Sequence, residues 1–134
     1  MSSLPVAAPT PSPETADYWA ATAEGRLLLK RCDACATVIW YPRGICPDCH
    51  STDTSWFEAS GNGEVYSYTV SRRGEGPWKE AAPYVLAYVE LDEGPRVMTN
   101  IVDSDLDAVS IGQRVTAVWD DTGSGNALLR FRPA

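Results

Sequence analysis

The chain has 134 residues, a hydrophobic fraction of 44% and a net charge of -7, which suits one domain or a small module plus one domain. The acidic balance opposes a general role in binding nucleic acid, because phosphate backbones require a clustered positive surface. No apolar run approaches the roughly 20 residues that span a bilayer, and the N-terminus lacks the basic start of a secretory signal, so we expect a cytoplasmic protein without membrane contact.

The N-terminal third begins with a proline-rich stretch, "MSSLPVAAPTPSP", and we expect residues 1–13 to form a flexible or polyproline tail. A helix is predicted near residues 14–24, because Ser12 or Thr15 can begin it and Gly25 can end it. Leu27 to Leu29 read as an extended entry into the next unit. Residues 14–30 are therefore predicted to be an N-terminal helix followed by an entry strand.

All cysteines of the chain lie in "RCDACATVIWYPRGICPDCHS" and form two CxxC pairs: Cys32, Cys35, Cys46 and Cys49. Each spacing is short enough to aim two thiolates at one point, so the two pairs can close a tetrahedral four-sulfur cage. A redox pair would normally open a helix in a strand-helix-strand unit. We therefore predict a structural zinc ion in a ribbon over residues 31–60, although the spacing does not separate zinc from iron.

Two residues follow these pairs at positions where such metal-binding turns commonly have glycine, because a positive φ is required there. Ala36 and His50 occupy these positions, and Ala36 is expected to carry mild strain. His50 is the only histidine, but four thiolates already fill the zinc shell, so we do not assign it as a ligand. A closed shell of this kind supports the fold and performs no Lewis-acid chemistry.

Between the pairs, "TVIWYPRGI" is predicted to form a short hairpin arm that carries Trp40, Tyr41 and Arg43. These side chains either pack on the neighbouring domain or face a partner or ligand. The sequence leaves both interpretations open.

The remainder of the chain predicts five strands near residues 65–70, 84–91, 96–102, 114–119 and 127–132. A loop through "GEGPWKEAAP" follows the first strand, and "DSDLDAVSIGQ" is a short helix or turn between the third and fourth. That order is typical of an OB-fold barrel over residues 61–134. The predicted class is therefore mainly β with a small α content, and an open five-stranded sandwich fits the same pattern less well.

The chemistry-bearing side chains of this C-terminal region do not assemble into a recognisable catalytic motif. The sequence has no GxSxG motif and no phosphate-cradling glycine loop. Asp120 and Asp121 lie at a predicted turn, where we expect solvated, turn-capping carboxylates.

The order of helix, four-cysteine ribbon and barrel, with "GEVYSYTV" and "PYVLAYVELDEGPRVMTNIV", resembles the zinc-ribbon plus OB-fold family associated with acyl-CoA metabolism. The resemblance covers roughly residues 15–134. It implies a non-catalytic accessory subunit of a thiolase-like (sterol-carrier-type) protein, including the partner of a steroid side-chain aldolase. It also implies two copies of each chain in the complex, and structural zinc on the four cysteines.

The same resemblance suggests residues for the partner interface or the acyl-CoA path: Trp40, Tyr41, Arg43, Arg72, Arg73 and Trp78. Arg72 and Arg73 suit a CoA phosphate, but they equally suit solvated charges at a strand end. Two other functions remain open at this point. One is a nucleic-acid-binding ribbon and OB module, and the other is a rubredoxin-like electron carrier.

Overall fold

The computed structural model describes residues 3–134, which form one α-helix and eight β-strands. The N-terminal elements are α1 (Ala16–Thr22), β1 (Leu28–Cys32), β2 (Val38–Ile39) and β3 (Thr54–Glu58). The C-terminal elements are β4 (Asn62–Ser71), β5 (Tyr84–Leu91), β6 (Arg96–Ile101), β7 (Arg114–Asp121) and β8 (Ala127–Pro133). Single 3₁₀ turns lie at Gly76–Trp78 and Leu106–Ala108.

The first sheet contains the ribbon and has the strand order β2-β1-β3. All five residues of β1 pair with β3, from Leu28 opposite Glu58 to Cys32 opposite Thr54. The strand β3 was not predicted from the sequence, because its partly buried residues show no clear alternation of apolar and polar side chains. Its pairing with β1 joins the ribbon to the barrel strand that follows.

The second sheet is a closed barrel with the strand order β4-β5-β6-β8-β7. The 3₁₀ turn at Leu106–Ala108 lies between its third and fourth strands, so the predicted OB-fold and the mainly β class are confirmed. β6 and β8 are parallel and share one residue pair, Ile101 with Phe131. The first barrel strand is longer than predicted, and it has a bulge between Val65 and Ser67.

The barrel core follows from the alternation of side chains along each strand. In β5, Val85, Ala87 and Val89 are buried, whereas Leu86 and Tyr88 face outward. Inward residues of the other strands complete one continuous cluster with Val65, Val97, Val115 and Phe131. The outward side chains of the same strands form the outer surface of the barrel.

The helix is shorter than the predicted span of residues 14–24. It begins after a turn in which the Thr15 backbone N–H donates to the Ser12 carbonyl, and Gly25 follows it with a φ of +72°. Thr22 fixes the helix to the barrel, because its hydroxyl accepts a hydrogen bond from the Ala127 backbone N–H at 2.9 Å. The predicted stop at Gly25 therefore marks where the chain turns from the helix towards β1.

The proline-rich segment before the helix contacts the barrel, although we expected a flexible tail. Residues 1 and 2 of that expected tail lie outside the described residues. The Pro5 carbonyl accepts a hydrogen bond from Arg130, and the Pro9 carbonyl accepts one from Asn126. Across residues 3–134, no helix is both long and apolar enough to cross a membrane.

Candidate functional site

The four cysteines converge on one point, and every Sγ atom lies within 4.8 Å of the others. The Sγ–Sγ distances are 3.5 Å for Cys32 and Cys49, and 3.6 Å for Cys35 and Cys46. A tetrahedral zinc ion with bonds of about 2.3 Å places its sulfur ligands about 3.8 Å apart, so this donor set fits zinc. The four thiolates form a structural zinc site.

Both metal-binding turns have the same backbone construction. The Ala36 N–H donates to the Cys32 carbonyl at 2.9 Å, and the His50 N–H donates to the Cys46 carbonyl at 3.0 Å. Ala36 has a φ of +67° and His50 a φ of +64°, so the predicted left-handed backbone at both positions is confirmed. The first cysteine of each pair is buried and the second is exposed.

The thiols differ in how readily they lose a proton. A hydrogen bond with the Thr37 side chain and another from its backbone lower the pKa of Cys35 to about 6. The backbone of Ser51 lowers the pKa of Cys49, but contacts with the thiols of Cys32 and Cys35 outweigh this effect and raise it. Metal binding requires thiolates, so zinc takes the place of the protons that the cluster otherwise shares.

A second candidate site is a groove of about 540 Å³ between α1, the arm at residues 40–42 and the outer face of the barrel. Its volume lies in the usual range of small-molecule pockets, about 300–1,000 Å³. Most of its walls are aromatic or aliphatic. The apolar lining residues include Tyr18, Trp19, Trp40, Tyr41, Trp78, Tyr84, Leu86 and Met98. Arg130 also lines the groove.

Aromatic pairs line this groove, and one of them joins the helix to the arm. Trp40 contacts Tyr18 with ring centroids 5.6 Å apart, and Tyr41 at 4.9 Å. Trp78 contacts Tyr84 at 4.8 Å. Trp40 therefore packs on the helix, whereas Tyr41 remains 53% exposed, so the arm combines both interpretations offered by the sequence.

The three predicted arginines do not join the aromatic residues in the groove. Arg43 lies on the arm, where its Nε donates to the Tyr41 carbonyl at 3.3 Å. Arg72 and Arg73 follow β4 directly and are exposed, and neither is among the residues that line the groove. The structure brings Trp40, Tyr41 and Trp78 together and leaves these cations at other positions.

A buried ion pair at the edge of the groove was not predicted from the sequence. Arg130 Nε donates to Asp120 at 3.1 Å, and Arg130 Nη1 donates to Asn100 at 2.7 Å. The side chains of Arg130 and Asp120 are only 8% and 7% exposed. The expectation of a solvated Asp120 was wrong, because Arg130 lies on the neighbouring strand β8, two residues from Leu128, which pairs with Asp120. Asp121 does cap the turn, accepting from the Gly123 N–H at 2.8 Å.

An outer apolar strip, formed by Tyr66, Leu86, Tyr88 and Met98, continues from the groove along β4, β5 and β6. These side chains are 47%, 38%, 44% and 51% exposed, respectively. Tyr88 and Met98 are directly paired across the sheet. Leu86 and Met98 belong to both the strip and the groove, so the two apolar surfaces are continuous.

A rubredoxin-like zinc ribbon joined to an OB-fold barrel defines the class of this protein. The family model "ChsH2, rubredoxin-like zinc ribbon domain" matches residues 19–55, and "ChsH2, C-terminal OB-fold domain" matches residues 56–120. The chain belongs to this ChsH2 and DUF35 family.

The named relatives differ from one another in length and in the activity that their names state. A "Probable enoyl-CoA hydratase alpha subunit" of Thermomonospora curvata is 40% identical over 121 residues, which cover 90% of this chain and 38% of the relative. A "DUF35 domain-containing scaffold protein" of Methanocaldococcus jannaschii is 41% identical over 90 residues, which cover 66% of this chain and 64% of the relative. A "3-oxo-4,17-pregnadiene-20-carboxyl-CoA hydratase alpha subunit" of Mycobacterium tuberculosis is 34% identical over 53% of this chain and 22% of the relative.

Among solved structures, a chain of the "Ltp2-ChsH2(DUF35) aldolase" superimposes with a TM-score of 0.82 and 39% identity. The match covers 94% of this chain and 98% of that chain. The similarity therefore extends over the helix, the ribbon and the barrel together.

Proposed function

We propose that this chain is a non-catalytic accessory subunit of a thiolase-fold aldolase or thiolase that acts on acyl-CoA thioesters in the cytoplasm. The finer proposal is retro-aldol cleavage in bacterial steroid side-chain degradation. The observation that carries the proposal is the continuous apolar surface formed by the groove and the outer apolar strip. The names of its relatives, which include subunits, a scaffold protein and an aldolase, support the same role.

The outer apolar strip is the proposed contact with the enzyme subunit. Folded chains that act alone rarely leave a contiguous patch of large apolar side chains in water. The guanidinium of Arg96 lies 3.8 Å from the centroid of the Tyr66 ring, and Arg96 also forms an ion pair with Glu90 at 3.0 Å. An apolar centre with charged residues at its edge is the usual construction of a protein interface.

The groove is the proposed continuation of the acyl path. Its aromatic walls suit the hydrocarbon part of an acyl-CoA, and the groove meets the strip at Leu86 and Met98. A substrate held by the enzyme subunit can then pass its apolar portion between Trp40 and Trp78. Arg43, Arg72 and Arg73 are proposed to meet the phosphates of CoA through charge-assisted hydrogen bonds.

In a retro-aldol reaction, a base removes the proton of the β-hydroxyl group, the carbon–carbon bond breaks, and the thioester enolate is then protonated. The proposal assigns the base and the acid to the thiolase-like subunit. This chain would exclude water from the entrance of that active site and position the acyl group. Thiolase folds usually dimerise about a two-fold axis, so the complex is proposed to contain two copies of each chain.

The test is to purify this chain and the thiolase-like protein separately and together, and to measure cleavage of the CoA thioester. Activity should require both chains. Met98→Glu places a charge in the strip and should weaken the complex at least tenfold, whereas Ile111→Glu is a matched control at a residue that is 70% exposed and outside the strip. Full cleavage by the thiolase-like protein alone would contradict the accessory role, and equal complex formation by both variants would contradict the interface.

A further inference from the structure

Residues 4–10, called the N-terminal strap below, follow the barrel surface along β8. Arg130 Nη2 donates to the Pro5 carbonyl at 3.0 Å. Asn126 Nδ2 donates to the Pro9 carbonyl at a longer distance of 3.4 Å. The strap is thus attached to the barrel at two points, and one of them, Arg130, also lines the groove.

The two attachment points show the direction and the conformation of the strap. Pro5 meets the later residue of the barrel and Pro9 the earlier one, so the strap runs antiparallel to β8. Four residues of a polyproline II helix span about 12 Å, and four residues of a strand span about 13 Å. The equal residue spacing on both sides fits an extended strap, and residues 5–12 contain no helix or turn.

The chemistry of both contacts favours proline-rich sequences. The barrel supplies side-chain donors and the strap supplies backbone carbonyls, so no strap N–H is needed, and proline has none. A polyproline II segment leaves its carbonyls free, because it forms no internal hydrogen bonds. Trp78 lies beside this surface, with its ring centroid 5.9 Å from the Arg130 guanidinium. Aromatic side chains of this kind are common where proline-rich segments bind.

A buried side-chain donor, Arg130 Nη2, has its acceptor on the strap. Arg130 uses Nε for Asp120 and Nη1 for Asn100, which leaves the Pro5 carbonyl as the acceptor for Nη2. A buried donor that loses its acceptor is destabilising. An exchange of one extended segment for another is therefore favoured over an empty surface.

We propose that the surface along β8 between Asn126 and Arg130 is a binding site for proline-rich extended segments. The N-terminal strap occupies it within the chain, and a proline-rich segment of a partner chain can replace the strap. This inference does not depend on the proposed function, since it requires neither a thiolase-like partner nor acyl-CoA.

The test uses the full chain and an acetylated, amidated decapeptide with the sequence of residues 3–12, "SLPVAAPTPS". The peptide is titrated into ¹⁵N-labelled wild type and into the double variant Pro5→Gly and Pro9→Gly, with the Asn126 amide and Arg130 guanidinium signals observed. Glycine loosens the variant's own strap, because a free strap with glycine has more conformational entropy to lose on binding. The peptide should therefore bind the variant about tenfold more tightly than wild type, and should shift both observed signals.

Two controls accompany this titration. A peptide with glycine in place of its prolines should bind at least fivefold more weakly, and Val6→Ser should leave the wild-type affinity unchanged because the prolines remain. Unchanged zinc content and barrel amide signals confirm that the double variant is folded. Equal affinity of wild type and double variant, no binding to either, or shifts confined to residues away from β8 would each overturn the proposal.

Discussion

The ribbon and the barrel lie in one chain but are stabilised by different interactions. The buried cluster of the ribbon consists of Cys32, Ile39 and Cys46, so its order depends on the metal that joins the thiolates. The barrel has a continuous apolar core in which Val65, Val89 and Phe131 are at most 1% exposed. A change at the metal and a change in the barrel core should therefore disrupt different parts of the molecule.

The largest effect is expected for Cys46→Ala, which removes one zinc ligand. Structural zinc sites contribute about 10–16 kcal/mol of apparent binding free energy in small zinc-binding peptides. The ribbon should lose its zinc and its order, while the barrel retains its structure. Elemental analysis of zinc and amide signals of both parts by NMR measure this outcome.

His50→Ala is the control for that experiment, because His50 is adjacent to Cys49 and is not a ligand in the four-thiolate site. It should retain one zinc ion per chain. If Cys46→Ala retained zinc and ribbon order, or if iron replaced zinc in stoichiometric amount, the assignment of the metal centre would be wrong.

The next largest effect is expected for Phe131→Ala in the barrel core. Phe131 is fully buried, and truncation of a buried phenylalanine costs about 3–5 kcal/mol in the free energy of unfolding. Urea denaturation should show an earlier barrel transition, whereas zinc remains bound below that transition. Tyr88→Ala, at an exposed position of β5, should change the free energy of unfolding by only about 0.5 kcal/mol.

A smaller effect, and one of opposite sign, is expected for Ala36→Gly in the first metal-binding turn. The left-handed backbone at Ala36 costs a residue with a Cβ about 1–2 kcal/mol, and glycine removes most of that cost. The ribbon should release zinc to a chelator at a higher chelator concentration. Ala20→Gly in α1 is the contrasting change, since glycine inside a helix destabilises by about 1 kcal/mol, and the two variants should differ in sign.

The smallest effect is expected for Asp92→Asn, which removes an exposed ion pair on the barrel. Arg114 donates two hydrogen bonds to Asp92, at 2.9 and 3.0 Å, and holds the pKa of that carboxyl below its ordinary value. Stability from this pair is present above the unfolded pKa of about 3.9 and is lost as pH falls through the folded pKa. Wild type should unfold at a slightly higher temperature than Asp92→Asn at pH 7, and the difference should vanish in acid or high salt. A difference that persisted at low pH would contradict this account.

Several features could be predicted from local sequence alone. The cysteine spacing indicated a four-sulfur site, and the position after each second cysteine indicated a left-handed backbone, although Ala36 and His50 rather than glycine occupy it. A strand was predicted over residues 84–91, and it is β5 in the structure. Each of these signals depends on residues that are close together in the chain, so neighbouring side chains and backbone dihedrals decide them.

Other features depended on contacts that no local pattern reveals. The strand β3 was missed because its stability comes from pairing with β1 rather than from its own alternation. Asp120 was assigned to a solvated turn, although Arg130 on the adjacent strand neutralises it in a buried position. The proline-rich composition of residues 1–13 suggested a flexible or polyproline tail but not its contacts, which two side chains of the C-terminal hairpin make with the carbonyls of Pro5 and Pro9.

The sequence by itself determined the metal ligands and the order of the barrel strands, because these follow from short spacings and from local runs of strand-forming residues bounded by turns. Only the tertiary structure decided that Trp40, Tyr41 and Trp78 line one groove and that this groove continues into the strip at Leu86 and Met98. The tertiary structure also places Arg130, rather than Arg72 or Arg73, in the lining of the groove. Such surfaces join residues from three or more elements, and their proximity depends on barrel closure and helix docking, which act between positions that are distant in the chain.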